Sequence, residues 1–147
     1  MIRERTLPAG WYPQTPSKAG HVIAAWLEEI GERPHDSCAV IVPHAGWRFS
    51  GKIALEALAT LRPCDTIVVV GGHLRAGDPL MLAPEERYDT PFGPIEADVD
   101  LRKLMAEDGS REDTIPDNTV EVQLPLIRYL FPSARALYVR CPPDATA

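Results

Sequence analysis

Apolar positions along this chain of 147 residues follow distinct patterns, and each predicts a different kind of element. Val22, Ile23, Trp26, Leu27 and Ile30 recur at the three- and four-residue spacing of one helical face. The pattern predicts a helix from Ser17, whose hydroxyl suits an N-cap, to a stop at Gly31. Two other runs are continuous: Cys38-Ala-Val-Ile-Val42 leads into Pro43, and Thr66-Ile-Val-Val-Val70 leads into Gly71-Gly72. Unbroken short runs suit strands covered on both faces, as in a parallel sheet. Residues 50–61, rich in alanine and leucine, read as the crossover helix that a parallel pair requires. Residues 38–70 are therefore expected to form a βαβ unit.

Outside this unit the pattern is less regular. Pro8-Ala-Gly-Trp-Tyr-Pro13 and Pro16 make the start a turn-rich segment that wraps the surface. Residues 80–83 read as a strand, and Tyr88-Asp-Thr-Pro-Phe-Gly-Pro94 as a proline-rich loop over one end of the sheet. A short helix is expected over residues 98–107, and a longer one from Asn118 towards Phe131, with Pro125 kinking it or interrupting its first turn. Residues 136–140 read as a last strand. The expectation is one α/β domain over residues 1–147, with a mainly parallel sheet and helices on both faces.

Composition narrows the function. Hydrophobic residues make up 45% and charged residues 24% of the chain, as in ordinary globular proteins. A formal net charge of −6 opposes binding to nucleic acid or to anionic membrane surfaces. No apolar run approaches the roughly 20 residues that cross a bilayer, and Met1-Ile2-Arg3-Glu4-Arg5 opens no export signal. Three cysteines without CxxC spacing fit a reducing cytoplasm better than a disulfide framework. Cys38 and Cys64 read as small core or loop residues.

Candidate chemistry collects at strand ends, where ligands gather in open α/β sheets. His44 follows the first apolar run and His73 the second, so parallel neighbours would bring both imidazoles to one edge. Such a pair suits a metal, because neutral imidazole binds zinc, iron and copper. His21 and His35 read as surface residues. Asp117 and Asn118 form a further polar cluster: Asn118 can cap the following helix with Glu121 returning the bond, and either residue can also face the histidine crevice. Gly46, Gly51 and Gly71-Gly72 match no nucleotide-binding spacing, and Ser50 and Ser110 lack the elbow of a serine hydrolase.

In this order Ala9-Gly-Trp-Tyr-Pro13, Val42-Pro-His-Ala-Gly-Trp47 with Ser50-Gly51, Val70-Gly-Gly-His73, Tyr88-Asp-Thr-Pro-Phe-Gly93 and Thr119-Val-Glu-Val-Gln-Leu-Pro125 resemble the N-terminal half of the Memo-like family, the protein B of the AmmeMemoRadiSam system. The resemblance implies a fold similar to class III extradiol dioxygenases, with His44 and His73 in the first two histidine positions of a metal or active site. Where the family has Glu-His, this chain has Asp117-Asn118, so an amide that cannot take up a proton replaces a third histidine. The family continues beyond residue 147 and draws further site residues from a second half. A shortened protein, a fragment and completion by a partner subunit are all open.

The resulting expectation is a metal-binding protein of dioxygenase-like, oxidoreductase character. His44, His73 and Asn118 are its active-site residues. His44, His73, Asp117 and Cys141 are its candidate ligands, and a divalent ion, iron first with copper or zinc as alternatives, is its cofactor. A non-catalytic module for a small molecule or peptide and a zinc-dependent hydrolase are the competing readings. A sheet ending at residues 136–140 would leave an exposed edge, so a homo-oligomer is expected.

Overall fold

The computed structural model describes residues 1–106 and 109–144. Its elements, in chain order, are β1 (Ile2–Arg3), α1 (Pro16–Ile30), α2 (Trp47–Leu58), β2 (Thr66–Gly71), β3 (Met81–Leu82), β4 (Arg87–Tyr88), β5 (Ile95–Glu96), α3 (Val99–Ala106), β6 (Arg111–Glu112), α4 (Asn118–Glu121), α5 (Leu124–Leu130) and β7 (Arg135–Arg140). Helix α1 buries Ala19, Ile23 and Ile30, and ends at Gly31, which takes a positive φ of 70°. Its cap is Thr15 rather than Ser17: the Thr15 side chain accepts from the Lys18 amide, and Pro16 occupies a first-turn position where no amide is needed. Helix α2 starts earlier than expected because Trp47 is drawn into the core, where its indole Nε1 donates to the Val122 carbonyl at 3.1 Å.

The main correction concerns residues 38–42, which form no strand. A single parallel bridge, Ser37 with Leu61, begins the pairing, and no ladder follows it. Cys38 is accordingly exposed instead of buried, while Cys64 lies exposed in a loop. Of the expected βαβ unit, the crossover helix and second strand form, and the first strand lacks a neighbour.

The larger sheet has the order β2-β7-β3-β6. Strands β2 and β7 pair in parallel through six positions, from Thr66 with Arg135 to Gly71 with Arg140. Strand β3 runs antiparallel to β7 and parallel to β6, so the sheet is mixed rather than mainly parallel. A smaller sheet, β1-β4-β5, joins the chain start to the segment expected to be only a loop. Helices cover both faces of β7. Ala136 and Tyr138 face the main core with α1, α2 and α5, whereas Leu137 and Val139 pack with Leu82, Leu101 and Met105 beside α3. The alternation follows from the two-residue period of a strand. Residue 107 of the expected helix lies outside the described residues.

The helix expected from Asn118 is broken after Glu121 and resumes at Leu124, with Pro125 in the first turn of α5. Asp117, not Asn118, caps α4, and Glu121 does not return to the cap. The Glu121 carboxylate instead accepts from the amides of Thr6 and Leu7 and from the hydroxyls of Thr6 and Tyr12. That clamp fixes the N-terminal segment across the domain. Burial, reinforced by this carboxylate, pushes the Tyr12 hydroxyl well above the usual phenol range.

Candidate functional site

Strand β2 delivers His73 to the sheet's end. Two backbone features set its position. His73 has φ 61°, the one non-glycine residue with positive φ among those described, and such conformations persist where surrounding contacts enforce them. Gly71 allows α4 to lie directly on the strand, because a Cβ there would meet the Val120 side chain at 2.7 Å and overlap Thr119. The start of α4 thus reaches the histidine, and the Gly72 amide donates to the Thr119 hydroxyl at 3.2 Å.

Asp117 connects the histidine to a buried charge cluster. His73 Nδ1 lies 3.0 Å from Asp117 Oδ2. An ionised carboxylate only accepts, so in the neutral ring the proton sits on Nδ1 and the lone pair is on Nε2. Asp117 Oδ1 accepts from the amide and hydroxyl of Thr119. Burial would raise the Asp117 carboxyl, but the Thr119 and His73 hydrogen bonds outweigh it and hold the group below the ordinary aspartate value. Behind it, Arg140 donates to both Asp113 oxygens at 2.6 and 2.7 Å and reaches Asp117 Oδ2 at 3.4 Å. Asp113 is fully buried, and its bonds to Arg140 push the guanidinium further up. Tyr138 completes the support by donating to the Asp117 carbonyl at 3.2 Å.

His44 is held through its main chain. Asn118 Nδ2 donates to the His44 carbonyl at 3.1 Å, and Gln123 Nε2 donates to the Pro43 carbonyl at 2.9 Å. The His44 and His73 rings meet edge to face, with centroids 5.2 Å apart and planes at 79°. The two expected histidines are therefore brought together. Asp117 stands behind His73, and Asn118 supports the His44 loop. The Cys141 thiol makes no hydrogen bond with either ring, although its amide donates to the Gly71 carbonyl at 2.9 Å. Among the described residues, no group of three or more His, Cys, Asp or Glu side chains is arranged to hold a metal ion. His21 and His35 are exposed, as expected.

Asp113, Arg140 and Tyr138 are supporting residues that the sequence pattern does not single out, while Glu121, read there as part of a helix cap, is instead the N-terminal clamp. Arg140 carries the best available signal, since a charged residue closing an apolar strand needs a partner if it is buried. Asp113 has no comparable mark, lying in a segment without clear periodicity.

A mixed α/β domain with two histidines meeting beside a sheet end, one oriented by a buried carboxylate, defines the class. Residues 3–140 match the family described as Memo-like protein. The chain belongs to that family. A "MEMO1 family protein" of Methanococcoides burtonii is 32% identical over 136 residues, covering 90% of this chain and 51% of the relative. Proteins with the same description from Methanosarcina acetivorans and Thermococcus onnurineus are 31% and 29% identical, covering 88% and 92% of this chain and 50% of each relative. The chain thus spans about half the length of these curated relatives.

Proposed function

We propose that this chain supplies the two-imidazole part of a divalent metal site, with iron as the preferred ion, copper or zinc as alternatives, and chemistry of the extradiol dioxygenase type as its use. The observation that carries this reading is the 5.2 Å approach of His44 and His73, with the His73 ring oriented by Asp117. Their ring nitrogens are the donors that would hold the ion. Asp117 acts one step removed, fixing the tautomer and increasing the basicity of the ligating nitrogen. A bound divalent ion would polarise an oxygen-bearing ligand, and iron or copper would add redox capacity. Asn118 positions the His44 loop, and its amide takes no part in proton transfer. With two protein donors, the remaining coordination would come from water, a small molecule or a second polypeptide.

Metal titration of the purified chain under anaerobic conditions tests the proposal. Stoichiometric uptake of ferrous ion is expected, with loss of uptake in His44→Ala and about 10–100-fold weaker affinity in Asp117→Asn. Unchanged uptake in His44→Ala would overturn the site. A folded chain that takes up no metal would favour a non-catalytic small-ligand module, the reading to which the two-donor count otherwise points.

A further inference from the structure

Strand β2 is hydrogen-bonded on one side only, to β7. Residues 38–42, an apolar segment that lines one cavity with β2, are fixed at both ends. At one end the Ser37 amide donates to the Thr60 carbonyl and the Arg62 amide to the Ser37 carbonyl, each at 3.0 Å. At the other, Gln123 and Asn118 hold the carbonyls of Pro43 and His44. Between these anchors, the backbone of residues 38–42 makes no hydrogen bond among the described residues. Ile41 is 100% exposed, and on β2 Val68 and Val70 are 44% and 62% exposed.

That cavity, of about 890 Å³, has Val40, Val42, Ile67, Val69, Leu58 and Ile127 among its lining residues. A small apolar molecule would cover these side chains but leave two rows of amides and carbonyls unpaired. An inserted strand satisfies both, because strands pair at about 4.8 Å on either side while their side chains point up and down. A second copy of this chain is a poor source. In a second copy every strand of the larger sheet is bonded to a neighbour and residues 38–42 are tethered at both ends, whereas the slot needs a segment free to enter along both edges. The relatives carry about as much chain again as the part matched here.

We propose that this groove is a slot for one β-strand, an extended apolar segment from a polypeptide corresponding to the half of the relatives that this chain does not span. The strand bonds to β2 on one side and to residues 38–42 on the other, beyond the point where the direct Ser37–Leu61 bridge ends. The proposal is independent of the metal site.

Amide hydrogen exchange tests it, using the full chain with and without the second half of the Methanococcoides burtonii relative, added as overlapping synthetic peptides that need no fold of their own. Binding is expected to slow exchange of residues 38–42 and 66–71 together. Neighbouring amides of a strand point to opposite edges, so one of Val40→Pro and Ile41→Pro should weaken binding about tenfold, the effect of one lost hydrogen bond in a ladder. Failure of the added half to protect both segments would overturn the proposal. So would protection in the chain alone that rises with its concentration, which assigns the slot to a second copy, or binding by both proline variants equal to that of the parent.

Discussion

The two flanks of β2 are built in opposite ways. Towards β7, six consecutive positions pair, and the ladder ends in the buried cluster of Arg140, Asp113 and Asp117 that carries His73. Towards residues 38–42 there is one bridge, an open cavity and exposed valines. Each flank ends at a histidine. The closed flank fixes its imidazole through the side chain, and the open flank fixes only the main chain of the other. Rigidity at this site is therefore a property of what lies behind each residue.

The largest effect is expected from Arg140→Met. It removes the cation between two buried carboxylates and should destabilise the domain by about 3–5 kcal/mol in urea unfolding. A loss below about 1 kcal/mol would mean that the closed flank does not depend on this cluster. Gly71→Ala comes next, at roughly 1–3 kcal/mol, because its methyl group would push α4 from the strand. Loss of the Asp117–His73 contact, followed by the histidine ring signals in NMR, should accompany it.

Acid acts on the same flank. Asp117 is lowered in the fold, so its contribution to stability is complete above the ordinary value of 3.8 and disappears as pH falls through the lowered one. Unfolding free energies from urea titrations, measured downward from about pH 5, should fall further in the parent than in Asp117→Asn. Equal slopes would remove Asp117 from the account. On the open flank, Ile41→Ser should change stability by no more than about 0.5 kcal/mol. A larger loss would show that residues 38–42 are packed without a partner.

The same comparison explains what the sequence disclosed. Residues 38–42 and 66–70 carry equivalent apolar runs, and only the second becomes a strand, because a strand is completed by its neighbour and not by its own composition. Helix α1 was legible since its stripe and Gly31 are local signals. The meeting of His44 and His73 was legible for a similar reason: both follow apolar runs flanking one crossover helix. The cap at Asp117, the role of Glu121 and the pairing of Asp113 with Arg140 depend on contacts across the fold. No spacing within α4 or β7 encodes them. The smaller sheet is not legible in the sequence because two-residue strands such as Ile2–Arg3 carry no periodicity.

The clamp on Glu121 bears on the order in which the domain assembles. Thr6 and Glu121 are 115 positions apart, so the N-terminal segment cannot dock until nearly all of the described chain is present. Helices α1 and α2 pack on each other and can form early, whereas contacts of such long sequence separation come late and slow the overall reaction. The turn at Asp117, only four residues from the clamp, would then be among the last parts to become rigid. The histidine pair would acquire its final geometry at the end of folding.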